Sequence, residues 1–277
     1  GCDTRLLSFE PGAPIDIEAA TEAAREMKPD IVACTHVESS TGLLLDLEAL
    51  ASKLEKPLVL VDAIASLGAE ELAMDAWGLD VVVSASQKAF AAPPGLSFVA
   101  MSDRARGRAK GPIPYYLDLG RYEAGRERGD APFTPAIDTV QMVHASLGRA
   151  REVGWKAVRE MHRRASKAFI EALETTPLES FPAEPSAAVQ AFRLPGGLDG
   201  ARFLEILESE HGIVAAGGQG TLEGKIFRTG FLGHHDGGRL LGIVRSVLSV
   251  MTQLGIDTDV RRAEKAIRKV SDLPGLF

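Results

Sequence analysis

The first third of the chain alternates short apolar runs with helix-favouring segments, and this alternation constrains the fold more than any other feature of the sequence. Strand-like runs fall at 4–9, 30–35 (DIVACT), 58–61 (LVLV), 80–84 (DVVVS) and 96–101 (LSFVAM); helix-favouring stretches at 15–27 and 47–54 lie among them. Unbroken β-branched runs suit strands that are buried on both faces, and strand–helix alternation sets such strands parallel under a cover of helices. The pattern predicts an α/β domain on a mainly parallel sheet with helices on both faces, in which 30–35 is a buried strand.

Further along, 115–135 is rich in Gly, Pro and charge and reads as a long surface connection, and 136–174 reads as helical with interruptions near Gly148 and Gly154. A boundary near Trp155 divides a large domain, 1–155, from a smaller α+β domain, 156–277, with strands at 188–194 and 225–229 and helices at 199–210, 238–254 and 260–270. A chain of 277 residues that is 45% hydrophobic has ample material for such cores. Its net charge of −7 argues against a partner bound through phosphate neutralisation, so a small-molecule substrate is expected rather than nucleic acid. With only Cys2 and Cys34, a disulfide scaffold is excluded and a reducing cytoplasm fits. No apolar stretch reaches the roughly 18 residues of a membrane span. The chain starts at Gly1, and 1–9 reads as the middle of a fold, which leads us to expect a segment upstream.

Ligands of open parallel sheets bind beyond the carboxyl ends of the strands, so the polar residues that follow each buried run are the first candidates. HVESSTG follows at 36–42, Asp62 opens DAIASLG at 62–68, and ASQK at 85–88 leads into AFAAPPG at 89–95. A carboxylate directly after four apolar residues needs either a cation or a turn to cap, and both readings of Asp62 stand at this point. Lys88 taken alone is a solvated side chain. Set among Ser86, Ala89, Ala91, Ala92, Pro93, Pro94 and Gly95, it is instead an amine that can shed water and act as a nucleophile. A carbonyl cofactor joins the two, the lysine by an imine and the aspartate by pairing with a ring nitrogen, which is the chemistry of pyridoxal phosphate.

Taken as an ordered set, HVESSTG, VDAIASLG (61–68) and SASQK (84–88) with PPG (93–95) resemble the class V aminotransferases, most nearly those acting with alanine or serine and glyoxylate or pyruvate. The likeness extends over nearly the whole chain, through YYLDL (115–119), FTP (133–135) and KIFRTGFLG (225–233). It implies the fold type I architecture, with a large domain incomplete at its N-terminus and a small C-terminal domain. It also implies a ping-pong transfer of an amino group from a small amino acid to a 2-oxo acid, in a homodimer. By the same resemblance, Lys88 is the Schiff-base lysine and proton carrier, and Asp62 partners the ring nitrogen. Ser39 places a hydroxyl near the ring and substrate, Gln87 reaches toward the phosphate, Thr134 serves the phosphate of the neighbouring subunit, and Arg228 holds the substrate carboxylate. Bland alternatives exist: turn polar groups for Ser39 and Gln87, a helix cap for Thr134 and an exposed strand residue for Arg228.

The family's Gly- and Ser/Thr-rich phosphate loop and its ring-stacking aromatic are not found in this sequence, and GGQG at 217–220 reads as a turn. Gln87, where a desulfurase carries His, and the lack of any Cys after Cys34 argue against a cysteine desulfurase; another pyridoxal-phosphate reaction of lyase or desulfurase type stays an alternative, alongside an inactive or structural subunit. His36-Val-Glu38 lacks the Pro-Cys-x-x-Cys partner of a zinc deaminase, and His234-His235-Asp236 lacks a distant third ligand, so no metal is expected.

Overall fold

A computed structural model describes residues 2–108, 113–233 and 236–273. It opens on α1 (Ile17–Met27), whose N-cap Asp16 accepts the Ala19 N–H at 2.9 Å. β1 (Ile31–Thr35), a short hairpin of β2 (Val37–Glu38) and β3 (Leu43–Leu44), α2 (Leu47–Ser52), β4 (Leu58–Asp62), β5 (Val81–Ala85) and β6 (Ser97–Met101) follow. The first sheet runs β1-β4-β5-β6, parallel through β5 and antiparallel at β6. Val59, Val61 and Val82 bury one end-to-end row against Leu47, Leu50 and Leu54 of the α2 layer.

Two expectations fail here. Residues 4–9 form no strand: they lie exposed, and no neighbouring strand accepts their backbone hydrogen bonds among the described residues. β1 is not a buried strand but the sheet's edge, paired on one side only, and Ile31 is 50% exposed.

After α3 (Asp103–Arg108) and a 3-10 turn at Tyr115–Leu117, the predicted surface connection contains a helix, α4 (Leu119–Arg128). Asp118 caps it by accepting the Gly120 N–H at 3.0 Å, and Gly129 ends it in the left-handed region at φ 70°. Gly and charge in that stretch are helix ends and a solvated face, not a loop. α5 (Ile137–Val153) runs unbroken through Gly148; the break comes at Gly154, before α6 (Trp155–Leu173).

The second half adds β7 (Glu179–Ser180), β8 (Val189–Arg193), α7 (Gly200–His211), β9 (Ala216–Gly217), β10 (Ile226–Gly230), α8 (Gly237–Gln253) and α9 (Val260–Ile267). Its sheet runs β7-β8-β10-β9, antiparallel throughout. Phe169, Phe192, Phe203, Phe227 and Phe231, all fully buried, form the centre of its core with the apolar faces of α6 to α9. The two sheets thus form a mainly parallel α/β layer and a smaller antiparallel α+β layer, the arrangement that the fold type I resemblance implies.

At the end of the first sheet away from the candidate site, Asp80 is 2% exposed and accepts hydrogen bonds from the Val59 N–H (2.9 Å), the Ser102 hydroxyl (2.7 Å) and the Arg104 Nε (2.9 Å) and Nη2. Burial pushes this carboxyl up, but the hydrogen bonds from Arg104, Ser102 and Val59, with the Arg104 charge, outweigh it and hold it at about 2, below its ordinary 3.8. A depressed carboxyl contributes stability that is present above its unfolded value and is lost as pH falls through the folded one, here from near 4 down to near 2. On the order of 2 kcal/mol should disappear in that window. Urea midpoints measured across it should fall steeply for wild type and less for Asp80→Asn; identical slopes would refute the assignment.

Candidate active site

The carboxyl ends of β1, β4 and β5 meet at one edge of the first sheet, where Thr35, Asp62 and Val83 stand in register. The backbone continues the pairing one step beyond the strands: the His36 N–H donates to the Asp62 carbonyl and the Ala63 N–H to the Val83 carbonyl, both at 2.9 Å. This brings the three loops singled out in the sequence to one place, as open parallel sheets do for their ligands.

Asp62 ends β4 half-buried. Its Oδ1 accepts the Ile64 N–H at 2.8 Å, so the turn-capping reading is right as far as that oxygen goes, while Oδ2 has no hydrogen-bond partner among the described residues. Lys88 lies three residues past β5 in a loop fastened by Ser86. The Ser86 hydroxyl donates to the Pro93 carbonyl at 2.7 Å and accepts the Leu96 N–H at 3.3 Å, and the Ala92 N–H donates to the Ser86 carbonyl at 3.1 Å. Inside this closed loop the Ala91 N–H reaches the Lys88 carbonyl at 2.9 Å. Lys88 is half-buried, and its ammonium makes neither ion pair nor hydrogen bond with a described residue. Ala89 beside it is buried against Ala65, Ala188 and Val189, which joins the lysine loop to the second sheet. Gln87 is exposed next to Lys88.

Arg228 sits in β10, paired with Ala191 of β8 and Ala216 of β9. Its Nε donates to the Gly217 carbonyl at 2.9 Å and its Nη1 to the Ser39 carbonyl at 2.7 Å. Burial lowers this guanidinium's pKa and the Glu38 charge opposes that, so it stays a cation in a partly dehydrated place. Beyond β10 the chain passes the lysine loop, where a side chain on Gly233 would begin 3.7 Å from the Ala91 Cβ. The structure therefore gathers Ser39 and Arg228 through a direct bond, and Lys88 and Asp62 on adjoining strand ends. Thr134 is not gathered: it is exposed between α4 and α5, beside Phe133, whose ring packs among Tyr115, Tyr116 and Tyr122.

Sequence reasoning missed two participants. Ser86 was seen only as a small neighbour, yet it closes the lysine loop. Ser39 was chosen for its hydroxyl, whereas its backbone carbonyl makes the contact with Arg228. GGQG is indeed a strand end and a 3-10 turn, and its Gly217 carbonyl turns out to hold Arg228. Cys34 is half-buried and burial pushes its thiol up to about 11, so little thiolate forms near neutrality. His234 and His235 lie outside the described residues, and among the described residues no three His, Cys, Asp or Glu side chains cluster as metal ligands would.

Comparison with known proteins shows what the chain is similar to. The family model described as "Aminotransferase class-V" matches residues 1–231. A protein named as the soluble hydrogenase 42 kDa subunit of Anabaena cylindrica is 34% identical over 267 residues, covering 92% of this chain and 69% of that protein. The alanine–glyoxylate aminotransferase of Callithrix jacchus is 31% identical over 248 residues, 84% of this chain and 59% of that one. The crystal structure of ureidoglycine–glyoxylate aminotransferase from Bacillus subtilis superposes with a TM-score of 0.89 at 26% identity, over 96% of this chain and 71% of that one.

Proposed function

The chain belongs to the class V aminotransferase family, and on that premise we propose that it moves an amino group from a small amino acid, alanine or serine, to a 2-oxo acid such as glyoxylate or pyruvate, with pyridoxal phosphate as cofactor. The observation that carries this reading is a pair of groups without a partner among the described residues at the carboxyl end of one sheet, Lys88 Nζ in the loop after β5 and Asp62 Oδ2 at the end of β4, with the Arg228 cation held against the Ser39 carbonyl. A free amine and a free carboxylate oxygen, both half-buried, fit a group that carries an aldehyde at one end and a protonated ring nitrogen at the other.

When bound, pyridoxal phosphate supplies an electron sink that weakens the substrate's Cα–H bond. Lys88 Nζ would hold that group covalently and, once freed by the substrate amine, would serve as the base and acid that carries the Cα proton. Asp62 Oδ2 would pair with the ring nitrogen and keep it protonated. Arg228 binds the α-carboxylate through its remaining N–H groups and so fixes which face of Cα meets Nζ. Ser39 and Gln87 would supply hydrogen-bonding groups to ring and phosphate. Glyoxylate appears in the names of two relatives with different donors, which supports it as the acceptor.

A homodimer accords with the exposure of Tyr115, Tyr116, Leu117, Ile137 and Met142, and Thr134, exposed beside Phe133, would serve the partner's cofactor. No helix among the described residues is long and apolar enough to cross a membrane, and unpaired cysteines suit work in the cytoplasm. The name of the hydrogenase-subunit relative favours a second reading, a structural subunit without chemistry of its own.

One experiment separates them. The intact, cofactor-loaded protein is incubated with alanine and glyoxylate, with serine in parallel, and glycine is followed together with pyruvate from alanine or hydroxypyruvate from serine while the mass in solution is measured. Glycine and the matching 2-oxo acid in equal amounts from a dimer are expected. No product with any small donor overturns the transaminase reading, and a fully active monomer removes Thr134 from the site.

A further inference from the structure

We propose that Gly42 is a positioning residue for substrate binding: its missing side chain lets the β2–β3 hairpin lie flush on β8, which sets the Ser39 carbonyl where it orients the Arg228 guanidinium. This inference rests on the reading of Arg228 as the carboxylate holder.

The hairpin turn is wound tightly on itself. The Gly42 N–H donates to the Glu38 carbonyl at 2.7 Å, the Thr41 N–H to the same carbonyl at 3.2 Å, and the Ser40 N–H to Glu38 Oε1 at 2.8 Å. Ser39 is carried at the tip of this turn, so wherever the turn sits, its carbonyl follows. Past Ser39 the turn is fastened to the second layer. The Gly42 carbonyl accepts the Ser186 N–H and the Leu44 N–H donates to the Glu184 carbonyl, both at 2.9 Å, and Leu43 bridges to Pro185.

Gly42 meets two demands at once. At φ 76° it occupies the left-handed region, which an L side chain enters only with strain. Its Cα also faces the β8 backbone: a Cβ there would stand 2.7 Å from the Val189 carbonyl oxygen and 3.4 Å from the Ala191 nitrogen. β8 cannot yield, because β7 and β10 pair with it on its two sides. The hairpin must retreat instead. Ala191 is the cross-strand partner of Arg228, so the retreat opens the gap next to the guanidinium. A shift of roughly 1 Å takes the Ser39 carbonyl beyond hydrogen-bonding reach of Nη1. The fork then hangs from the Gly217 carbonyl alone and can swing out of the plane in which it would meet a carboxylate.

The test uses the cofactor-loaded protein and propionate, a carboxylate without amine or keto group, whose dissociation constant is read by NMR titration. Gly42→Ala should weaken propionate about tenfold, as loss of a hydrogen bond to a charged group does. KM for alanine and glyoxylate should rise in parallel, while the visible spectrum of the bound cofactor is unchanged. Gly78→Ala isolates the backbone strain, since Gly78 has φ 69° with nothing within 4 Å of an added Cβ, and it should leave propionate binding as in wild type. In an Arg228→Ala background, Gly42→Ala should change propionate affinity less than about twofold, because the two act on one contact. Wild-type affinity in Gly42→Ala, or equal losses with and without Arg228, overturns the inference. If Arg228→Ala alone leaves propionate untouched, the reading of Arg228 fails instead. Should Gly42→Ala not fold, Thr41→Val removes the hydroxyl that accepts the Leu43 N–H at 3.3 Å while adding no bulk against β8. It should weaken propionate at least about twofold, and unchanged affinity would equally overturn the proposal.

Discussion

Lys88→Ala is expected to lower the turnover of amino-group transfer by roughly 10²–10⁴-fold, the usual loss when a positioned proton carrier is removed, and to change the visible spectrum of the bound cofactor. The fold should be unaffected. Lys88 pairs with no carboxylate among the described residues, so its removal strands no buried charge, and its loop is held by Ser86 and by the burial of Ala89 and Phe90. Lys88→Arg makes the sharper test. It keeps the positive charge and most of the volume but offers a group that does not give up its proton near neutrality, so it should be as inactive as the alanine variant. Activity retained in either variant, or an unaltered spectrum in Lys88→Ala, would remove Lys88 from the chemistry. Loss of activity together with a lowered melting temperature would point to the loop and not the amine.

Why Lys88 and Asp62 were readable in the sequence, and Arg228 was not, follows from how each is positioned. LVLVD and DVVVSA carry their own geometry: an apolar run demands a buried strand, and the first polar residues after it must lie at the strand's carboxyl end. Several helix starts are fixed just as locally, by capping aspartates at Asp16, Asp46, Asp199 and Asp259. Arg228 has no such local signature. What brings it to the candidate site is its bond to Ser39, a residue of the other layer that is distant in sequence, and only the family resemblance drew attention to it. The β2–β3 hairpin has strands of two residues each, too short for any periodicity, so the role of HVESSTG as a bridge between layers was invisible. Residues 4–9 and β1 show the opposite error. Their residue types favour strands, but whether a strand is buried or paired depends on its neighbours, which composition does not supply.

Arg228→Ala is expected to cost about 10²–10³-fold in kcat/KM for alanine and for glyoxylate, the range for truncating one partner of a dehydrated charge pair, with most of the change in KM. The stability cost should be small, because Arg228 is half-buried and the two carbonyls it leaves, Gly217 and Ser39, sit where water can reach them. Arg228→Lys should recover only part of the loss. A point charge on a flexible stem attracts a carboxylate but cannot hold the Gly217 and Ser39 carbonyls and the ligand in one plane. Alaninamide supplies the control that a general fault would not pass. It has the donor's amine and Cα–H but no carboxylate, so wild type should strongly prefer alanine, while in Arg228→Ala that preference should collapse and the rate on alaninamide should barely move. If instead the variant loses alanine and alaninamide alike, the guanidinium supports the site without touching the carboxylate, and the substrate's anionic end must be held by another cation.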